Sequence, residues 1–501
     1  MKRIALILLV LMTFLWVSCD KYDSWTTSPN AKLEFSVDTV NFDTIISTHS
    51  STTKTLQVWN RGREGIRINR VALQSGSASH FRVNVDGQFL QGGSGEEFEV
   101  RGEDSLFVRV EVMLPEGGVD DVVHYEDDLL FTLESGVQQR VKLIADGQDV
   151  FTLKGEVFLS DTTLKAGRPY LIYDSLVVPK DVTLTLEPGV CLMFHDSTSL
   201  HVRGRLMAEG TLEKPIIFRG DRLDRLFDDL PYDNTPNRWG GIHFYGESYD
   251  NVMTQCDVHS GQYGVRLDSL YGEADGEMAL VLTNSVIHNV DGRAFDAKDS
   301  HARVVGTQIS NSLGHTVCLL GGSYFFVHCT IAQYYYFSYD CGDALHIANT
   351  DDDFEEGEES GAEANHPFEQ VHFLNCVIMG RAEDVVMGKI VEYQDLVCNY
   401  LFQNCYLRTV VSEDESRFVK VTYDKDTLDI EGYKQGDAVR YGSANFAVIG
   451  KNYLFDYTPD SLSGIRGMAD ILIMKRYSCT FDRKGKNRMA DGAPDAGAYE
   501  F

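Results

Sequence analysis

The stretch Thr254-Gln255-Cys256-Asp257-Val258 is followed 29 residues later by a similar one, Thr283-Asn284-Ser285-Val286-Ile287. Each places a small residue directly after a polar one, and each follows an alternating apolar segment that is typical of a β-strand. The small residue recurs along the chain as a set of anchors, which are Cys256, Ser285, Thr307, Cys329, Cys376 and Cys405. Successive anchors are 29, 22, 22, 47 and 29 residues apart, and 47 becomes 29 when a hydrophilic insert of 18 residues (350–367) is omitted. Such a repeat, with two or three short strands in each unit, predicts a parallel β-solenoid.

A second ladder of apolar residues follows the anchors and consists of Val265, Phe295, Val317, Leu345 and Val386. One turn of a solenoid cannot bury its inner face alone, so stacked turns must place both ladders inside. We therefore expect a core column of Cys, Ser and Thr without disulfide bonds. The cysteine count agrees, because nine remain besides Cys19, an odd number with no CxxC pair.

The solenoid pattern begins earlier, with the segments LTLEPGV (184–190), LHVRGRLMAEGT (200–211), KPIIF (214–218) and RWGGIHF (238–244). This series resembles the opening turns of right-handed parallel β-helix surface proteins of the pectate-lyase-like superfamily. The ending PDAGAYEF (494–501) resembles the PDxGAYE ending of such exported proteins, and Asp482, Gly485 and Arg488 match its upstream D..G..R pattern. The resemblance covers about 150 to 501 and implies the fold. It implies no single activity, because the superfamily contains lyases, hydrolases, epimerases and adhesins.

Residues 31–148 have a different pattern, with about seven alternating segments separated by turn residues. That pattern predicts a β-sandwich, and it resembles the immunoglobulin-like domains that precede β-helices in surface proteins. We therefore predict an all-β chain with three parts. They are an immunoglobulin-like β-sandwich over 31–148, a right-handed parallel β-helix over 149–410, and the C-terminal end of the helix with a capping segment over 411–501.

The N-terminus predicts export and lipidation. A basic head is followed by an apolar run of 14 residues (4–17), which is typical of a signal peptide and short for a membrane span. The run ends at Trp16-Val17-Ser18-Cys19, which resembles the lipobox of bacterial lipoproteins, although Trp16 stands where the family usually has leucine. We predict a signal peptide over 1–18, lipidation of Cys19 and a polar tether over 19–30. This implies a lipid anchor in the outer membrane of a Gram-negative cell, with surface exposure; a secretory signal with an incidental cysteine is the alternative.

The charge of the chain excludes one class of partner. Lys and Arg number 45 against 75 Asp and Glu, a net charge of -30, so binding to nucleic acid is not expected. The same charge disfavours polyanionic glycans unless calcium bridges them. We expect a monomer without a cofactor or metal. Calcium stays open as a ligand of the acidic insert 351–359, although a solvated loop is its default interpretation.

The sequence contains no HExxH, GxSxG, P-loop or GxGxxG motif, so no known motif identifies catalytic residues. Candidates are therefore inferred from the residues beside the second ladder. Strand alternation turns the neighbours of that ladder outward. Stacked turns are about 4.8 Å apart, so a set of outward residues and strand entries is predicted to share one cleft. The predicted acid–base residues are Asp296, His315, Asp343 and His346. Ordinary solvated strands of an acidic protein are the alternative interpretation.

Candidate ligand-binding residues are Tyr334, Tyr335, Tyr336, Arg266 and Arg293. Exposed rings in the aromatic run would form a platform for sugar faces, while a core strand with an aromatic turn is the alternative. Four functions stay open at this point. They are a non-catalytic surface lipoprotein that binds glycan or another envelope component, a polysaccharide lyase or glycoside hydrolase, an adhesin, and a structural spacer; the first is our hypothesis.

Cys19→Ser tests the predicted anchor. Without the thiol there is no site for lipidation, so we expect the variant in the soluble fraction, measured by detergent partitioning and mass analysis of the mature N-terminus. A variant that still partitions with membranes as the wild type does would contradict the prediction.

Overall fold

The computed structural model describes residues 24–227, 229–350, 366–382, 384–391, 397–426, 440–451 and 453–501. The predicted signal peptide, Cys19 and the acidic insert 351–359 lie outside these residues. Among the described residues, none forms a helix long and apolar enough to cross a membrane. The chain divides into two units, 1–148 and 149–501, each with its own hydrophobic core.

Alternating strands of the first unit form two five-stranded sheets around one core. One sheet contains, in spatial order, Glu34–Phe35, Lys54–Asn60, Asp104–Val112, Phe81–Val85 and Gln88–Phe89. The other contains Thr39–Ile46, Gln138–Gln148, Val123–Leu133, Ile66–Leu73 and Ser94–Val100. Every second residue faces the core; Leu56 and Val58 are fully buried, whereas Gln57 between them is not.

Three parallel sheets form the walls of the second unit, which is a β-helix. Sheet A contains Thr162–Leu164, Thr183–Leu186, Arg205–Glu209, Asn251–Thr254, Leu280–Thr283, His301–Val305, Gly322–Val327, Phe368–Leu374, Cys398–Gln403 and Phe418–Val419. Sheet B contains Cys191–Phe194, Ile216–Gly220, Cys256–His259, Val286–Val290, Gln308–Ser312, Thr330–Gln333, Val377–Gly380, Tyr406–Leu407, Thr422–Asp424 and Arg440–Gly442. Sheet C contains Ser199–Val202, Gly241–Phe244, Val265–Leu267, Phe295–Lys298, Val317–Leu320, Leu345–Ala348 and Val386–Met387. The predicted all-β chain with a parallel β-helix is confirmed. Sheet B continues to Gly442, within the segment 411–501 that was expected to contain the C-terminal end of the β-helix.

A few elements lie outside these walls. Phe151–Val157 pairs with Tyr170–Val178, which leads into both sheet B and sheet C. Two hairpins join Arg225–Phe227 with Leu230–Pro231 and Phe446–Lys451 with Leu454–Pro459. A short α-helix, Ile471–Arg476, is capped by Asp470, whose side chain accepts hydrogen bonds from Leu472 N–H and Ile473 N–H.

Strand pairing confirms the predicted columns. From turn to turn, the residues that directly follow the anchors pair with each other; they are Asp257, Val286, Gln308, Thr330, Val377 and Tyr406. The anchors therefore stack in the core, where each is at most 1% exposed. Cys256 N–H donates to Ser285 Oγ at 3.0 Å, which satisfies that buried hydroxyl. The second ladder is also in register, and the nine described cysteines are free thiols.

The residue before each anchor makes the bend between sheet A and sheet B. Its φ is positive at all six positions, from 46° at Asn284 to 59° at Gly306. Among L-residues, Asn adopts this left-handed conformation more easily than most, and Gly adopts it freely. The bend therefore explains why Asn recurs at 284, 375 and 404 in the repeat.

The C-terminal segment, residues 482–501, lies against the outer surface of sheet B. Ala498 N–H donates to Thr330 Oγ1 at 2.9 Å, and the Tyr499 hydroxyl donates to Gln308 Oε1. Polar side chains on the outer surface of sheet B thus accept hydrogen bonds from the segment. These contacts place the segment along the side of the β-helix.

One buried ionic cluster holds the C-terminal segment together. Arg488 is fully buried, with Nη1 at 3.5 Å from Glu500 Oε2. Glu500 N–H donates to Asp482 Oδ2 at 2.9 Å, and Asp495 N–H donates to Glu500 Oε2 at 3.1 Å. The two C-terminal sequence patterns therefore meet in one structural unit.

Cys376→Asp tests the packed column of anchors. We expect the free energy of unfolding to fall by about 3 kcal/mol or more, because a carboxyl group would be buried without a partner. Cys376→Ser is the matched control and should cost about 1 kcal/mol, since Thr307 and Ser285 occupy the same column two and three turns away. Urea denaturation measures both. Equal thiol labelling of Cys376 and the half-buried Cys341 in the folded protein would contradict the stacking.

Candidate functional site

Two histidines lie next to each other on the outer surface of sheet B. Strand pairing sets His259 opposite His288, one residue after the inward-facing pair Val258 and Ile287. Because side chains alternate along a strand, both histidines face outward. Their ring centroids are 4.9 Å apart. The turn of the helix thus brings together two imidazoles that are 29 residues apart in the chain.

Charged partners surround His259 on both sides of its ring. Asp257 Oδ1 is 2.8 Å from His259 Nδ1 and 3.2 Å from His288 Nε2. On the other side, Asp233 Oδ1 is 2.7 Å from His259 Nε2, and Arg219 Nε is 3.0 Å from that oxygen. Carboxylates at both ring nitrogens stabilise an imidazolium, because each nitrogen then donates a charge-assisted hydrogen bond.

The ionisation of this cluster follows from these contacts. Burial by itself lowers the pKa of His259, but Asp233 and Asp257 outweigh it and raise the pKa to about 10. Burial by itself raises the pKa of Asp257, but His259 and His288 outweigh it and hold that pKa well below its usual value. The pKa of Asp233 is also lowered, since His259 and Arg219 outweigh its burial. At neutral pH the cluster therefore holds a histidinium between two carboxylates.

The cluster opens onto a cleft of about 340 Å³ between sheet B and the C-terminal region. The rings and charged groups that line this cleft are Tyr453, Phe455, Tyr499, His288, Asp257, Asp456, Arg483 and Lys484. Lys484 Nζ is 2.9 Å from Asp456 Oδ1 and 2.8 Å from Thr458 Oγ1. Burial raises the pKa of Asp456, but Thr458 and Lys484 outweigh it and lower the pKa. The cleft thus combines aromatic rings with ionised groups of both signs.

The sequence contained part of the signal for this site. The alignment of Thr254–Val258 with Thr283–Ile287 extends by one residue to His259 and His288, which reveals the histidine pair. Asp233 gave no such signal, because it lies in an insert between two strands of the repeat.

Two of the predicted platform residues are covered. Tyr335 is 4% exposed, and Tyr334 is partly buried with its ring centroid 6.1 Å from that of Tyr457. The C-terminal hairpin supplies Tyr457, so part of the aromatic run packs under that hairpin. For these two residues, the alternative of a core strand with an aromatic turn fits better than an exposed platform.

The rest of the run, Tyr336, Phe337 and Tyr339, is exposed. Together with Tyr453, which lies elsewhere in the chain, these residues form a group that we term the aromatic patch. Tyr336, Phe337 and Tyr339 are 47%, 42% and 97% exposed. The ring of Tyr453 is 4.8 Å from that of Tyr336 and 5.7 Å from that of Phe337. Because Tyr453 also lines the cleft, the patch and the cleft form one continuous surface.

Three of the four predicted acid–base residues come together. Asp343 Oδ2 is 3.1 Å from His315 Nδ1 and 3.4 Å from His346 Nδ1. Burial by itself raises the pKa of Asp343, but the two histidines outweigh it and lower the pKa to about 2. Asp296 lies in the same column, two strands from His346, and its Oδ1 is 3.0 Å from Arg293 Nη1. That ion pair occupies Asp296, which is therefore not part of the group.

The two predicted ligand-binding arginines are both in ion pairs. Arg293 binds Asp296, and Arg266 Nε lies 3.6 Å from Asp268 Oδ1. In the strand register of sheet C, Arg266 lies opposite Asp296 on the following turn and opposite His243 on the preceding turn. Both arginines lie on the sheet C side of the helix, whereas the cleft lies on the outer surface of sheet B.

No protein-family model matches the chain, and no curated protein matches it significantly. Among solved structures, a protein of unknown function from Porphyromonas gingivalis is 12% identical over 25% of this chain, which spans about half (51%) of that protein, with a TM-score of 0.18. The catalytic unit of a thermostable GH87 α-1,3-glucanase from Streptomyces thermodiastaticus is 14% identical over 74% of this chain and 81% of that one, with a TM-score of 0.25. A GH87 α-1,3-glucanase catalytic domain in complex with tetrasaccharides is 9% identical over 70% and 80%, with a TM-score of 0.22. None of these likenesses assigns a function to this chain.

Asp233→Asn tests the ionisation of the His259 cluster. The wild-type pKa of His259 is raised from 6.5 to about 10, so the associated stability is complete below about pH 6.5 and is lost as the pH rises through 10. The variant removes one carboxylate and should be less stable than wild type at pH 7. The difference should shrink as the pH approaches 10, measured by urea denaturation between pH 6 and 10.5. A difference that stays constant over this range would show that His259 is not held as a cation.

Proposed function

We propose that the protein is a lipid-anchored protein of the cell envelope whose β-helix binds a glycan without cleaving it. The observation that carries this proposal is the continuity between the aromatic patch and the cleft through Tyr453. Sugar rings present C–H groups on their faces and hydroxyl groups at their edges. A surface that offers exposed rings beside polar groups is complementary to both.

The exposure of the patch supports binding. Tyr339 is almost fully exposed, and Arg381 lies 5.7 Å from the ring of Tyr336 and 5.9 Å from that of Tyr339. A guanidinium near two rings limits their range of orientations. The rings can therefore meet a flat ligand without a large loss of conformational entropy.

The ionisation of the cleft favours binding over hydrolysis. Glycoside hydrolysis needs a carboxylic acid with a raised pKa to protonate the leaving group. The pKa values of both carboxyl groups lining the cleft, Asp257 and Asp456, are lowered. Neither group is then protonated at neutral pH, so neither can serve as that acid.

The charges of the cleft favour a neutral glycan. Lys484 is paired with Asp456, and Asp257 is paired with His259, so the ions largely neutralise each other. The rest of the chain is strongly acidic, with a net charge of -30. A polyanionic glycan would meet this negative potential, which Arg483, a further basic residue lining the cleft, cannot offset alone.

A glycan array with the wild-type chain, followed by calorimetry on any neutral glycan that binds, tests this proposal. We expect Tyr336→Ala and Tyr339→Ala each to weaken binding by about 2- to 10-fold, because each removes one stacking ring. Tyr335→Ala is avoided, since Tyr335 is buried and its loss would disturb folding.

Two further variants serve as controls for the glycan test. Phe89→Ala removes a ring of similar exposure, 64%, from the first unit and should leave glycan binding unchanged. Asp343→Asn should also leave it unchanged, because Asp343 is not in the cleft. Binding that survives both tyrosine substitutions would contradict the proposal, and release of shortened glycan would favour a hydrolase or lyase.

A further inference from the structure

The loops that lead into sheet C place His315 and Asp343 at the same level of adjacent turns. Each lies two residues before an inward-facing residue, Val317 or Leu345, and these two residues pair in register. His346 follows Leu345 and therefore faces outward. Its ring stacks on that of His315 with centroids 4.3 Å apart. Three side chains from two turns thus converge at one corner of the helix.

A buried amide ties the two loops together. Gln333 is 3% exposed, and its Nε2 donates to the carbonyl oxygens of Gly314 at 3.1 Å and of Gly342 at 2.9 Å. Gly342 N–H also donates to Leu313 O at 2.8 Å. A Cβ atom at Gly342 would lie 2.5 Å from His315 N, so a side chain there would force the loops apart. These backbone contacts therefore fix the distance between the loops that carry His315 and Asp343.

The separations suit a tetrahedral metal ion. With metal–ligand distances of about 2.0 to 2.2 Å, tetrahedral ligand atoms lie about 3.3 to 3.6 Å apart. Asp343 Oδ2 is 3.1 Å from His315 Nδ1 and 3.4 Å from His346 Nδ1. The three residues each offer one ligand atom within 4.8 Å of the other two. Asp343 N–H donates to His315 Nδ1 at 3.0 Å, and a metal ion bound to this nitrogen would replace that hydrogen bond.

We propose that His315, Asp343 and His346 bind a divalent transition-metal ion, with Zn²⁺ as the best-matched ion. Two imidazole nitrogens and one carboxylate oxygen are a typical ligand set for Zn²⁺, whereas Ca²⁺ and Mg²⁺ are bound by oxygen ligands. The three side chains are 26%, 24% and 11% exposed, so solvent reaches the site. Three protein ligands leave the fourth coordination position for water or for an oxygen of a ligand.

A second group of the same residue types provides an internal comparison. The ligand atoms of Asp257, His259 and His288 also lie within 4.8 Å of one another. There, His259 lies between two carboxylates, and a metal would have to displace the proton that Asp257 holds on Nδ1. At the proposed site, both histidines turn Nδ1 toward the same oxygen of Asp343. The proposal is independent of the glycan cleft, which lies on sheet B.

Calorimetric titration of the full chain with ZnCl₂, after removal of metal by a chelator, tests the proposal. We expect one tightly bound ion per chain. His315→Ala and Asp343→Asn should each weaken its binding at least about 10-fold, because each removes one ligand. His288→Ala is the matched control and should leave the affinity unchanged. Co²⁺ should give the visible bands of a tetrahedral nitrogen–oxygen site, without the charge-transfer band of a thiolate such as Cys341.

Three outcomes would overturn the proposal. They are an absence of Zn²⁺ binding by the wild type, Zn²⁺ binding that is lost in His288→Ala but kept in His315→Ala, and Ca²⁺ binding at these residues as tight as that of Zn²⁺. Thermal melting in chelator shows whether the variants fold. If Asp343→Asn does not fold, His315→Gln and the Co²⁺ spectrum of the wild type decide the question.

Discussion

Backbone pairing between successive turns of the β-helix is the constraint on which both histidine groups depend. Turns lie about 4.8 Å apart and side chains alternate, so the pairing of Asp257 with Val286 sets the direction of every neighbouring side chain. A slip by one residue would bury the outer histidines and expose the anchors. The left-handed residues before the anchors, such as Asn284 and Asn375, oppose this slip because the bend must recur at the same level.

The repeat was predictable because its cause is local. Each anchor needs a small side chain, and each bend needs a residue that tolerates positive φ, so both leave a mark in the sequence. The convergence of His315 with Asp343 followed from the same register. The positions of Asp233 and Lys484 could not be predicted from that register, because both residues belong to segments outside the repeat. Similarly, alternation could not show that Tyr334 packs near Tyr457, since that residue belongs to a hairpin more than 100 residues later.

The two groups use the same residue types and differ in their neighbours. His259 contacts two carboxylates and is a fixed cation, which offsets part of the negative charge of the chain at the cleft. His315 and His346 share one carboxylate oxygen, that of Asp343. One additional aspartate therefore separates an ion-pair network from a group suited to a metal. Residue type alone does not distinguish these cases; the count of carboxylates around each ring does.

The C-terminal segment contacts sheet B across long stretches of sequence. Neighbouring turns are joined by pairs of residues 16 to 47 positions apart, whereas Ala498 meets Thr330 across 168 residues and Tyr499 meets Gln308 across 191. Closing such a long loop costs more chain entropy than adding the next turn. We therefore expect the turns of the β-helix to form before the C-terminal segment covers one flank and completes the cleft. Under the proposed function, glycan binding would then be acquired only after the scaffold has folded.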